Sequence, residues 1–226
     1  MNPFVAGTIA ILRKELLIEL RTKEIVVTAG LFGFLIVVLT SLAFFLDEET
    51  ARRICPGVLW VSASFAGVLA MGRAWGRERE ADAVRGLLLS PIPRSSIFLG
   101  KMLGTLLFVL IIDTLLWPLV AILFNQPIFE HGIPIMLILV LGTTGYVAMG
   151  PLFAAMSVRT RARDLMLSVV LFPLASPGLV AGVVATREIL GGTPMDEIYA
   201  WFRILGAFDL VAIVSGLLLF EPLMSD

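Results

Sequence analysis

Two carboxylates stand inside stretches that are otherwise apolar: Asp113 near the middle of residues 102–124, and Asp209 within residues 204–220. An acid at the centre of a membrane helix costs roughly 2.5–3.5 kcal/mol on insertion scales, so it normally faces a partner group or water. Each acid therefore has two readings. It is a working group in gating or partner contact, or a hydrogen-bonded structural acid that is partly protonated. Two acids do not favour an anionic cargo, and they would serve an intramembrane enzyme only if they converged in one cavity. His131, the only histidine, could ligate an iron such as that of haem, although a lone loop histidine is ordinarily just solvated. Cys55 is the only cysteine, so it forms no internal disulfide; beside Pro56 it reads as a small buried residue. No C-x-x-C, H-E-x-x-H or G-x-S-x-G is present, and Gly100-Lys101 is followed by Met102 and lacks the earlier glycine of a phosphate-binding loop. Any energy the protein uses must come from another chain.

The other chemically dense segment is residues 73–101. Trp75-Gly76-Arg77-Glu78-Arg79-Glu80-Ala81-Asp82 is rich in mixed charge, and residues 81–89 read as a short helix. Ser90-Pro91-Ile92-Pro93 stops that helix, because proline cannot continue it and restricts the residue before it. A mixed-charge helix ended by Pro-x-Pro, with Leu87, Leu88 and Leu89 to bury, suits a docking lever. The plainer alternative is a solvated loop whose arginines only set topology.

The elements that must position these residues follow from composition. Of 226 residues 58% are hydrophobic and 15% charged, against about 45–50% and 25% in soluble domains. Mean hydropathy is +0.98, and net charge is −1, so overall charge points to no acidic or basic partner. A spanning helix needs about 20 mainly apolar residues, and six stretches qualify: 25–46, 54–72, 102–124, 133–156, 165–186 and 204–220. The backbone must satisfy its own hydrogen bonds in lipid, so each is a helix. The first stretch is expected to be a span rather than a cleaved leader, because a charged segment precedes it and the apolar run is long for one. Thirteen Lys and Arg lie before the first stretch and in the second-to-third and fourth-to-fifth connections; four lie on the other side. By the positive-inside rule this places both termini in the cytoplasm.

Residues 1–24 form an N-terminal amphipathic helix expected at the cytoplasmic membrane interface, with Val5, Ile9, Leu12, Leu16 and Leu20 as its apolar stripe. It anchors the chain or braces the bundle against a partner. Residues 187–203 form an outer helical segment. Thr193-Pro194-Met195-Asp196 reads as its start, followed by interfacial Tyr199, Trp201 and Phe202. Gly100-x-x-x-Gly104 and Gly178-x-x-x-Gly182 permit close helix approach, for packing or for an oligomer face. Pro118, Pro151, Pro173 and Pro177 are expected to break or bend their spans.

Several short motifs, in order and at consistent spacing, resemble one family. They are Arg13-Lys14-Glu15-Leu16; Cys55-Pro56-Gly57-Val58-Leu59-Trp60-Val61; Leu87-Leu88-Leu89-Ser90-Pro91-Ile92-Pro93 followed by Lys101; Leu141-Gly142-Thr143; and Leu167-Ser168 with Phe172-Pro173-Leu174 and Pro177. Together they resemble, almost end to end, the haem exporter protein B (CcmB) family, the membrane subunit of the cytochrome c maturation complex. There are two departures. Asp82-Ala83-Val84-Arg85 stands where the family often has Gly-Ser/Thr-Leu-Glu, and Asp113 stands where an uncharged residue is expected. The resemblance implies an all-α, ABC-2-type permease with an elbow helix and six spans, non-catalytic, in the bacterial inner membrane. It implies that residues 73–101 seat an ABC ATPase (CcmA-like) through Glu78, Glu80, Asp82, Arg85, Leu88, Pro91 and Pro93. It further implies a haem-handling membrane subunit (CcmC-like), a small membrane subunit (CcmD-like) and a periplasmic haem chaperone (CcmE-like). ATP would be bound by the partner, and haem would be cargo of the complex, with His131 as a possible contact; no cofactor is expected on this chain itself. An ABC-2 permease for a lipid or polysaccharide is the alternative within the same class.

Overall fold

A computed structural model of the chain describes residues 2–44, 48–80, 86, 90–127, 130–157 and 163–225, and their side chains except at 48, 78–80, 156–157, 163–169 and 225. The described residues form seven helices: α1 (Pro3–Thr22), α2 (Glu24–Ala43), α3 (Glu48–Glu80), α4 (Arg94–Leu123), α5 (Gly132–Ser157), α6 (Arg163–Leu190) and α7 (Met195–Ser225). Six of them, α2 to α7, are long and apolar enough to cross a membrane. The all-helical expectation of one elbow helix and six spans holds.

The helices outrun the apolar stretches that announce them. α3 has 33 residues, about 50 Å at 1.5 Å per residue, against a hydrocarbon core of about 30 Å. Its charged ends stay helical because Arg and Glu are good helix formers once outside the lipid. The mixed-charge run after Arg73 is thus largely a continuation of α3 rather than a free loop. α7 begins at Met195, next to the anticipated start, but runs unbroken to Ser225. No break separates an outer helix from the sixth span. The chain reverses instead at Gly191-Gly192: the Thr193 N–H donates to the Glu188 carbonyl at 3.1 Å and the Gly192 N–H to that of Ile189 at 3.1 Å. Gly192 has φ +78°, the left-handed position such a helix end requires.

The prolines do not break their helices. α4, α5 and α6 continue through Pro118, Pro151, Pro173 and Pro177. Pro177 has no N–H to give the Pro173 carbonyl, and the Ser176 hydroxyl donates to that carbonyl instead, at 2.8 Å.

α3 is the most buried span, and α2 and α7 the least. In lipid, helix contact is driven mainly by close packing, which small residues permit. The glycines act as seats for large side chains. Trp60 of α3 packs against Gly142 of α5 and Gly182 of α6, and its indole N–H donates to Thr186 at 2.9 Å. Phe208 of α7 covers Gly145 and Gly178, and Phe98 of α4 covers Gly216. The Gly178-x-x-x-Gly182 pair noted in the sequence is therefore occupied inside the chain.

Candidate coupling site and the intramembrane acids

α1 starts with the Asn2 side chain accepting the Phe4 N–H at 3.0 Å and Pro3 in the first turn. Its face toward the bundle is Gly7, Thr8, Ile11, Glu15 and Glu19, while Val5, Ile9, Leu17 and Leu20 are exposed. The helix turns its carboxylates inward and much of its apolar stripe outward. That arrangement suits a membrane interface, where lipid takes the apolar side and protein cations neutralise the other.

Those cations come from the two roots of the 73–101 segment. Lys101, in α4, is 1% exposed and donates to Glu15 at 3.0 Å, while its ammonium lies 4.5 Å from the centre of the Trp75 ring. Arg77, near the end of α3, pairs with Glu19 at 3.3 Å and donates to the Thr22 hydroxyl at 3.3 Å. The other Glu19 oxygen accepts the Val26 N–H at 2.9 Å, capping α2 and tying it to the same network. Arg73 and Glu24, 3.3 Å apart, are half-exposed, so that pair contributes little.

Backbone contact reinforces the ion pairs. A Cβ on Gly100 would lie 2.9 Å from the Thr8 carbonyl, and one on Gly104 would lie 2.9 Å from the Glu15 Cβ. The Gly100-x-x-x-Gly104 pair is thus the seat of α1 on α4. Ile92 packs on Gly7, and the Ser96 hydroxyl donates to the Phe4 carbonyl at 2.9 Å. Pro93 opens α4, its carbonyl accepting the Ser96 N–H at 2.9 Å. Pro91 and Pro93 are exposed. α1 therefore holds the end of α3 and the beginning of α4 at once.

Of the anticipated coupling residues, Glu78 and Glu80 lie in the last turn of α3, their side chains outside those described. Asp82, Arg85 and Leu88 lie outside the described residues, as does most of the helix anticipated over 81–89. Sequence reasoning missed Glu15, Glu19, Trp75, Arg77 and Lys101 as one network. The available signal was Glu15 and Glu19 four residues apart, on one face of α1 that flanks its apolar stripe.

The two intramembrane acids face different sides of α5. Asp113 is fully buried in α4 and accepts the Thr143 hydroxyl at 2.8 Å; its other oxygen has no hydrogen-bond partner among the described residues. Asp209 of α7 sits on Gly145, whose Cβ would lie 2.7 Å from its Oδ1. Thr143 and Gly145 are neighbours on α5, but residues two apart point about 200° apart around a helix. The acids thus flank α5 at one depth, on opposite faces. Tyr146, one turn from Thr143, donates toward the Ala63 carbonyl at 3.4 Å, extending the Asp113 side toward α3. At the opposite end of the bundle from the clasp, His131 is partly exposed and its carbonyl accepts the Ile135 N–H at 3.1 Å, starting α5. Among the described residues no three His, Cys, Asp or Glu side chains gather into a group able to hold a metal.

The family model for CcmB protein matches residues 7–220. The chain belongs to the CcmB family. Among curated relatives, Heme exporter protein B of Bradyrhizobium diazoefficiens is 30% identical over 210 residues, covering 92% of this chain and 92% of the relative. Heme exporter protein B of Pseudomonas aeruginosa is 29% identical over 191 residues, covering 82% and 85%, and that of Paracoccus denitrificans is 30% identical over 170 residues, covering 74% and 77%. The chain is a multi-pass membrane member of this haem-exporter family, the matched region running from within α1, through α2 to α6, into α7.

Proposed function

We propose that this chain is the non-catalytic permease subunit of an ATP-driven complex that delivers haem for c-type cytochrome assembly at the bacterial inner membrane. An ABC ATPase subunit, which binds and hydrolyses the ATP, seats on residues 73–101. A haem-handling membrane subunit, a small membrane subunit and a periplasmic haem chaperone complete the assembly, and haem is its cargo. The clasped end of the bundle, with both termini, faces the cytoplasm, as the distribution of thirteen Lys and Arg against four favours.

The observation that carries this reading is the double grip of α1. Lys101 and Arg77 tie it to both roots of the seating segment, so a push on that segment moves α3, α4 and α1 together. The chain converts the partner's hydrolysis into helix motion that releases haem-loaded chaperone. The two acids on opposite faces of α5 favour this over an intramembrane enzyme.

The test reverses charge at Glu78, Glu80 and Asp82 together. The expected result is an assembled complex whose ATPase still turns over while c-type cytochromes fail to mature. Normal maturation in the triple variant overturns the role of those acids. Undiminished c-type cytochromes in a strain lacking this chain would reassign the permease to another cargo, such as a lipid or polysaccharide.

A further inference from the structure

Between α1, α2 and α4 two apolar hollows meet end to end. One, of about 280 Å³, lies between Leu16 and Leu20 on one side and Phe108 and Ile111 on the other, with Glu19 and Lys23 at its rim. The second, of about 320 Å³, is floored by Gly30 and flanked by Leu31, Phe34, Leu115 and Leu119. Both include Val26 and Val27, which makes them one groove. It is open to the side, where Leu31 is 63% and Leu115 62% exposed. From Lys23 to Phe34, α2 rises about 16 Å at 1.5 Å per residue. That is about one leaflet of a 30 Å hydrocarbon core.

The rim carries a sign. Both Glu19 oxygens are engaged, one by the Val26 N–H and the other by Arg77. Lys23 is exposed, and its ammonium has no partner among the described residues. It is the single residue joining α1 to α2, held at φ 53°. An interfacial helix meets a span there, which is the level of lipid headgroups. An apolar slot one leaflet long with an unpaired cation at its mouth matches an anionic amphiphile.

We propose that this groove holds one acyl chain of an anionic phospholipid whose phosphate pairs with Lys23. The inference goes beyond the haem-delivery reading and does not depend on it. Bound there, the lipid would wedge the elbow between α1 and α2 and fix the tilt of the first span.

The test uses the complete complex in mild detergent, with phosphatidylglycerol or phosphatidylcholine added back and retained lipid read by native mass spectrometry. One phosphatidylglycerol per copy should be retained in preference to phosphatidylcholine. Lys23→Asn removes the charge while suiting the left-handed backbone; it should weaken phosphatidylglycerol about fivefold, the contribution of one cation near an anionic surface, and leave phosphatidylcholine unchanged. Gly30→Leu, whose Cβ has only the Ile112 side chain at 3.9 Å, should fill the slot and weaken both lipids. A photoreactive residue at Leu31 in the otherwise unaltered protein should yield an adduct of phospholipid mass. Equal retention of the two lipids, insensitive to Lys23→Asn, overturns the proposal. So does a Leu31 adduct to a second copy, to another subunit or to detergent alone.

Discussion

Lys101→Met isolates the strongest link in the clasp. The Lys101 and Glu15 side chains are 1% and 4% exposed and 3.0 Å apart. Removing one partner of a buried ion pair costs about 3–5 kcal/mol, because the other charge is left in a poor solvent. Glu15 keeps Lys14 at 3.6 Å, a side chain 34% exposed, which places the loss near the lower end, about 3 kcal/mol. Loss of the cation–π contact with Trp75 adds about 0.5–2 kcal/mol. Replacing both residues by Met removes both charges from the same space, and such apolar replacements are often neutral or stabilising. The double variant should therefore be more stable than Lys101→Met alone, with a coupling energy of about 2 kcal/mol or more. A double-mutant cycle on denaturant unfolding of the detergent-solubilised protein measures it. Additive single effects, or a Lys101→Met loss below about 0.5 kcal/mol, would refute a buried, load-carrying pair.

Two further outcomes follow from the spans. Gly182→Ala drives a Cβ into the Trp60 ring and should cost about 1–3 kcal/mol by overpacking; Gly206→Ala, which meets nothing, should leave the melting temperature level or raise it. Thr143→Val should cost about 0.6–1.7 kcal/mol, the range for hydrogen bonds between membrane helices. Asp113→Asn keeps an acceptor for Thr143 and should support c-type cytochrome maturation; an assembled but inactive Asp113→Asn complex would mean that the acid itself acts.

How much of this was legible in the sequence depends on the physical range of each signal. The spans were legible because lipid demands a long apolar run, and charge alone marks its ends. Their full lengths were not, because hydropathy is silent on helix that continues through Arg73, Arg77 and Glu78. That α6 runs on through Pro177 was not legible, because the group that takes up the freed Pro173 carbonyl is the hydroxyl of the neighbouring Ser176. A serine beside proline carries no such meaning until the helix is built. Glu15 and Glu19 look like an outward polar face, since the rule for soluble helices puts charge in water. Here the pattern is inverted: Val5, Ile9 and Leu20 are exposed, and the acids turn inward toward Lys101 and Arg77. Partners 86 and 58 residues away leave no trace in local periodicity. Asp113 and Asp209 were visible as costly residues, but only α5 shows that they face apart.

The clasp and the glycine seats suggest how a push at residues 73–101 would travel under the proposed function. α1 cannot follow α3 and α4 without carrying α2, because one residue, Lys23, joins α1 to α2 and Glu19 caps the second helix. α3 in turn packs on α2, α4, α5 and α6, so motion at its end reaches four other spans directly. α7 packs instead against α4, α5 and α6, with Phe208 and Asp209 resting on Gly145 of α5. α5 thus stands between the Asp113 side and the Asp209 side, seated on each through a small residue. The Phe208 and Phe98 rings carry no polar group to bond their glycine seats, whereas the buried Lys101–Glu15 ion pair has one short distance to keep. Rigid coupling at the clasped end and smoother contacts at mid-membrane are what a lever needs. The end that receives force stays together, and the bundle beyond it retains surfaces on which helices can shift.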